Sequence, residues 1–231
     1  MIQRRVHGTG STVSTVSDFV FDTLWSLKGD GAAVRSYQVS IPDMALRGVA
    51  RRLFSSSALE EKYPGSLAAA HWVMAGGFLG CIGTVLASQQ TPKDDPMKGQ
   101  LMFAHKSMGT LMAALVLPRA ALRLTSVIPA AVPGPAWERA VANVSHLALY
   151  AGMFALPMSG VAMGYFGGKG LPFFWTTIPG AQGDAKRGKW AGQAFKIHKT
   201  VGTYWKYLPL VHFGAVGVHF AKGQNILKRM L

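Results

Sequence analysis

Acidic side chains and cysteine are scarce in this sequence. Its 231 residues include ten Asp and Glu and a single Cys, and charged residues of either sign make up only 15%. A water-soluble domain normally carries about 25%, so too little charge is present to clothe a solvated surface. One cysteine excludes a disulfide scaffold. No glycine-rich phosphate loop, nucleophile triad or paired-carboxylate site is found, which excludes the common hydrolytic and nucleotide-handling chemistries. What is abundant is apolar: 49% of the chain is hydrophobic, with a mean hydropathy of +0.22. Disorder is excluded by that content. Lys and Arg number 24, giving a net charge of +14. Nucleic-acid binders of such charge are rich in ionic residues overall, and this chain is poor in them, so a nucleic-acid partner is also excluded. The remaining class is a membrane protein whose few charges lie outside the bilayer. Glycine, at 27 residues, exceeds the usual share of about 7% and suits helices packed closely on one another or on a flat group.

Residues 44–57 carry Arg47, Arg51 and Arg52, no acid, and a closing serine run. This is the Arg-rich, acid-poor pattern of a mitochondrial presequence, and Arg52-Leu53-Phe54 before Ser55 suits a processing site. The preceding stretch adds Asp18, Asp22, Asp30 and Asp43, foreign to such a segment, and is read as an upstream extension or as lying before a start at Met44. The predicted organisation is a targeting segment over 1–54, an arm over 55–66 and a membrane domain over 67–231. Setting 1–54 aside leaves 17 basic residues against 6 acidic ones, so the positive surplus belongs to the membrane domain as well. There it can meet anionic lipid or an acidic partner.

Four apolar spans follow, at about Leu67–Ser88, Gln100–Leu124, Arg139–Phe166 and Lys189–Lys222. Each reaches the roughly 20 residues required to cross about 30 Å of hydrocarbon. Pro118, Pro157 and Pro209 lie inside spans, where membrane helices tolerate them. The predicted fold is all-α: an integral membrane four-helix bundle, up-down-up-down, with an N-terminal targeting segment. The loop 167–188 is long enough for a lid or an interfacial segment. Tyr165, Phe166, Phe173, Phe174 and Trp175 suit an interfacial belt. Basic residues are balanced between the two ends of the bundle, so charge does not orient it.

Six of the seven histidines lie in the spans, and ionisable groups there are candidates for function. Alternating helix direction puts His71 near the side holding both termini and His105 near the opposite side. His198 and His212 are 14 residues apart, about 21 Å of helix rise and within about 40° of one face. Two level-matched pairs result, His71 with His212 and His105 with His198. Facing imidazoles of this kind are what a six-coordinate haem iron requires, an arrangement suited to electron transfer. Without a Cys-x-x-Cys-His motif the haem is of the non-covalent b type. Gly109 and Gly202, each four residues beyond a predicted ligand, leave room for a macrocycle. Cys81 is read as a packing residue, and His219 as interfacial.

The segments His105-Lys-Ser-Met-Gly, Arg119-Ala-Ala-Leu-Arg123 and His146-Leu-Ala-Leu-Tyr-Ala-Gly-Met-Phe-Ala-Leu-Pro-Met-Ser-Gly160 resemble those of the bacterial-type cytochrome b561 family. So do the 14-plus-7 spacing of His198, His212 and His219 and the Arg229-Met-Leu ending. The likeness runs from about Leu67 to the C-terminus. It implies a four-helix membrane protein with two b haems that exchanges electrons with quinone, and it implies His71, His105, His198 and His212 as iron ligands. It further implies Arg119 and Arg123 as partners of haem propionates or lipid phosphates, and His146 near a quinone or a propionate. Taken from the residues alone, the two arginines are equally read as cations reaching for the membrane surface, and His146 as a helix-to-helix hydrogen-bonding group. Two departures from the family pattern stand out: Lys199, where relatives often carry an acid, and Lys206, deep in the fourth span.

The expected function is therefore transmembrane electron transfer through two bis-histidine b haems, linked to quinone, in the mitochondrial inner membrane. Expected partners are quinone or a redox protein, and membrane lipid. The alternative is a membrane subunit of a respiratory complex, in which the bundle is an anchor keeping one, two or no haems. Lys206 would then be a structural charge facing a neighbouring subunit.

Overall fold

The computed structural model describes residues 61–182 and 185–231. The predicted targeting segment lies outside them, as does the arm up to residue 60. Three long apolar helices come first. Helix α1 spans Gly65–Gln90, α2 spans Pro96–Thr125 and α3 spans Ala136–Phe166, and all three are long and apolar enough to cross a membrane. No charge interrupts α1. In α2, Asp95 caps the N-terminus by accepting the Met97 N–H at 2.8 Å, and Pro96 opens the helix. Proline at that position needs no donor, because first-turn N–H groups have no intrahelical acceptor. Lys98 reaches back to donate to the Ser88 and Thr91 carbonyls at 2.6 and 2.8 Å, closing the frayed end of α1.

The fourth predicted span, Lys189–Lys222, is two helices rather than one. Helix α4 spans Ala185–Trp205 and α5 spans Leu208–Ala221. The cause is Pro209. It has no N–H to donate to the Trp205 carbonyl, and the chain tightens just before it: the Tyr207 N–H turns to the Tyr204 carbonyl, three residues back, at 3.3 Å. Helical spacing resumes when the Val211 N–H meets the Tyr207 carbonyl at 3.1 Å. The 14 residues of α5 give about 21 Å of rise, short of a bilayer alone. Helix α4 carries Lys189, Lys196 and Lys199, so only the α4–α5 rod as a whole can serve as a fourth span.

A second departure from the all-α expectation lies in the loop before α4. Strands β1, Leu171–Phe173, and β2, Thr176–Ile178, form an antiparallel hairpin with Leu171 opposite Ile178. Gly170 enters it at φ 74°, and a Cβ there would approach the Ile178 carbonyl oxygen to 2.6 Å, so the position demands glycine. The hairpin is stapled to the end of α3 by Gly170 N–H to the Gly164 carbonyl, 3.1 Å, and Ala181 N–H to the Tyr165 carbonyl, 2.9 Å. Its tip is aromatic, and Trp175 is 85% exposed.

Pairing of α1 with α2 and of α3 with α4 is the most extensive in the bundle. Gly77 and Gly80 of α1 accept the side chains of Met112 and Met108 from α2, close packing that drives helix association where lipid supplies no hydrophobic force. The central layer holds Met74, Phe78, Met112, Val116 and Trp205. Trp205 donates its indole N–H to the Ala148 carbonyl at 3.2 Å and lies against Gly152, where any Cβ would fall inside the indole ring. Outside that layer, Leu117, Val141, Leu210 and Phe220 are exposed, which a lipid-facing surface requires and a solvated one would not tolerate in such number. The segment leading into α1 meets the C-terminal tail: the Tyr63 N–H donates to the Arg229 carbonyl at 2.9 Å, and Trp72 Nε1 to the Met230 carbonyl at 2.8 Å.

Candidate haem sites

Helices α1, α2, α4 and α5 each supply one inward histidine. His71 and His212 stand with ring centroids 6.3 Å apart, and His105 and His198 with centroids 6.2 Å apart. Both pairings predicted by depth are therefore present as side-chain geometry, despite the break in the fourth span. A metal bonded to one nitrogen of each ring at about 2 Å, plus about 1 Å from nitrogen to ring centre, sets two axial imidazoles about 6 Å apart. Among the described residues, no three His, Cys, Asp or Glu side chains gather as a metal site made of protein alone. Paired imidazoles without further ligands suit an ion whose remaining positions are filled by a macrocycle.

The His105–His198 pair is held from behind. His105 Nδ1 lies 2.9 Å from the Cys81 carbonyl oxygen, and His198 Nδ1 lies 3.0 Å from that of Leu156. A carbonyl only accepts, so each Nδ1 carries the hydrogen, and in the neutral ring each Nε2 keeps its lone pair free. The Ser159 hydroxyl stands 3.1 Å from His198 Nδ1 while donating to the carbonyls of its own helix. Backbone acceptors of this kind orient metal-binding imidazoles. Around the pair opens a cavity of about 610 Å³, lined by Cys81, Val85, Gly109, Pro157 and Gly202 among others. A Cβ on Gly109 would meet nothing within 4 Å, so the space beside His105 is open, as a flat group needs. Lys106, Lys169, Lys199 and Lys206 also line it.

At the other level the surroundings differ. Arg119 on α2 directs Nη2 to His71 Nδ1 at 3.3 Å. It is buried, 8% exposed, lies over the Tyr150 ring at 5.8 Å, and its Nε and Nη1 have no hydrogen-bond partner. A buried guanidinium with two unspent donors fits a carboxylate. His146 on α3 joins this level, with its ring 5.6 Å from that of His212 and 66° inclined to it. Arg123 lies one helical turn beyond Arg119, in the last turn of α2. His219 stands apart, its Nδ1 2.7 Å from Gln224 Oε1. Lys206 sits at the helix break, half-buried, with its ammonium 5.1 Å from the Tyr207 ring centre.

Sequence reasoning found the histidines but not what holds them. The Cys81 and Leu156 carbonyls carry no sequence signal, since every residue has one. Trp205 was findable: it lies seven residues from both His198 and His212, on the same helical face.

Known proteins similar to this chain give its family. The profile of the family described as prokaryotic cytochrome b561 matches residues 62–231. Cytochrome b561 homolog 2 of Escherichia coli (strain K12) is 30% identical over 174 residues, covering 74% of this chain and 92% of that protein. Cytochrome b561 homolog 1 of the same organism is 26% identical over 129 residues, covering 55% of this chain and 72% of that one. The chain belongs to the prokaryotic cytochrome b561 family of membrane electron-transfer proteins with b-type haem.

Proposed function

We propose that this chain moves electrons between the two faces of a membrane through two b haems, one held by His71 and His212 and the other by His105 and His198, and exchanges them with quinone. The observation that carries the reading is the pair of imidazole couples, at 6.3 and 6.2 Å, on opposite ends of one apolar central layer. When bound, a bis-histidine haem b supplies a reversible one-electron couple. The protein's residues do the rest. Cys81 and Leu156 carbonyls hold two imidazoles in the ligating tautomer, and Arg119 presents unspent donors to a propionate. Phe78, Met112 and Trp205 exclude water between the levels. His146 and Arg123 are assigned to the rim of the His71–His212 level, as propionate or quinone contacts. The Arg47, Arg51 and Arg52 segment supports an address in the mitochondrial inner membrane.

A pyridine haemochrome assay on the purified full chain tests the haem count, with two haems per chain expected and fewer than one overturning the reading. His105→Ala or His198→Ala should remove one haem and spare the other. Loss of both from a bundle that keeps its helical circular dichroism would contradict the pairing.

A second reading, membership of a respiratory complex, is favoured by Lys206. Among the described residues it has no carboxylate partner, and a cation at that depth gains from one on a neighbouring subunit. Migration near 25 kDa in native electrophoresis supports the free-standing cytochrome, and co-migration with a complex supports the second reading.

A further inference from the structure

His71 holds the opposite tautomer to His105 and His198. A guanidinium has only N–H donors and no lone pair to offer. With Arg119 Nη2 at 3.3 Å, His71 Nδ1 must therefore accept, and the hydrogen of the neutral ring sits on Nε2, the nitrogen an axial ligand would use. His212 makes ring contacts with His71, His146 and Phe213 and no hydrogen bond to a described residue, so nothing fixes its tautomer. At the other level, carbonyls at 2.9 and 3.0 Å leave both Nε2 atoms free. One pair is set for iron, and in the other Arg119 holds His71 in the tautomer that cannot ligate.

We infer that haem loading is ordered, and that Arg119 is the latch: the His105–His198 site fills first, and the His71–His212 site opens only when a haem propionate draws the guanidinium away from His71. This rests on the two-haem reading. Arg119 prefers the carboxylate because two opposite charges attract directly and the planar guanidinium can meet both carboxylate oxygens at once, and its Nε and Nη1 are already buried without partners. Once the guanidinium leaves, the imidazole hydrogen moves from Nε2 to Nδ1 with no net change in protons, and Nε2 becomes a ligand. Lysines lining the first cavity can also meet propionates. Lys106, Lys169 and Lys199 are exposed and Lys206 is half-buried, but none of them is hydrogen-bonded to His105 or His198, whereas buried Arg119 bonds His71 directly, so only at the second site is a ligand's tautomer tied to the propionate charge.

Haemin titrated into the full chain, prepared without haem in nanodiscs, tests the order through the bis-histidine Soret band. Two steps are expected, the first at least about tenfold tighter, 1.4 kcal/mol. His71→Ala should keep the tight step and lose the weak one, whereas His105→Ala and His198→Ala should each keep only the weak one. The latch is tested with iron protoporphyrin dimethyl ester, which has the same metal but no carboxylate charge. In the wild-type protein the ester should bind the second site at least about tenfold more weakly than haemin, and in Arg119→Met that discrimination should collapse. Two steps of equal affinity, or loss of the tight step in His71→Ala, would overturn the order while leaving two haems in place. Discrimination that survives Arg119→Met would overturn the latch. Absence of a bis-histidine band at either step would overturn the haem reading itself, and the ordering with it.

Discussion

Gly152 and Trp205 show how a single missing atom can set the packing between two histidine levels. The indole ring occupies the place of a Cβ at 152, donates to the Ala148 carbonyl and stacks obliquely on Phe78 at 5.2 Å between ring centres. Gly152→Ala must therefore expel the ring or shift α3 from α4. Overpacking of this kind costs about 1–3 kcal/mol, and a fall in the thermal unfolding midpoint is expected. Trp205→Ala, which empties the layer instead, should cost about 3–5 kcal/mol in the same measurement. Ser159 offers a contrasting case. Its hydroxyl approaches His198, but the Leu156 carbonyl remains the acceptor that sets the tautomer. Ser159→Ala is expected to keep full haem content by pyridine haemochrome; loss of a haem would transfer the orienting role from the carbonyl to the hydroxyl.

At the level of elements, the fourth rod is the informative one. A continuous helix would leave His212 about 40° off the face of His198, and the tight turn at Lys206 and Tyr207 changes that relation between members of the two histidine pairs. Pro209→Ala returns an N–H to the Trp205 carbonyl and should straighten the rod. The expected result is reduced haem occupancy at His71–His212 with His105–His198 intact, read as a stoichiometry falling from two towards one. A stoichiometry unchanged from the native protein would mean that the break is incidental to the site. The apolar lengths of α1, α2 and α3 were legible because each is long, keeps its few charges away from its middle and is bounded by turn residues. The break was less legible, because proline inside a membrane helix sometimes kinks it and sometimes ends it, and neighbouring packing decides which. The hairpin at Leu171–Ile178 was not legible at all: three-residue strands form here through glycines and backbone bonds to α3, not through an alternating pattern.

For the whole molecule, closure on the side of the termini depends on Arg229. It is 4% exposed, donates to the Glu61 and Ala130 carbonyls at 3.1 and 2.7 Å, and lies over the Tyr63 ring at 5.7 Å. Glu61 returns a bond by accepting the Ala130 N–H at 2.9 Å, and Lys222 pairs with Glu138 across to α3. The N-terminal arm, the α2–α3 connection and the C-terminal tail are thus tied by one cation. Arg229→Ala should cost about 2–3 kcal/mol, the scale of buried hydrogen bonds from a charged group, and should expose the arm to limited proteolysis before the helices melt. The sequence by itself determined the membrane class and three of the apolar spans, and it put the histidines at matching depths, because hydrophobic length and helical period are properties of residue order. Only the tertiary structure decided what stands against Nδ1 of His71, His105 and His198, a guanidinium at the first and carbonyls at the other two, and where the fourth rod breaks. Those depend on carbonyls, guanidinium donors and ring faces brought together from helices dozens of residues apart, and no local pattern encodes such encounters.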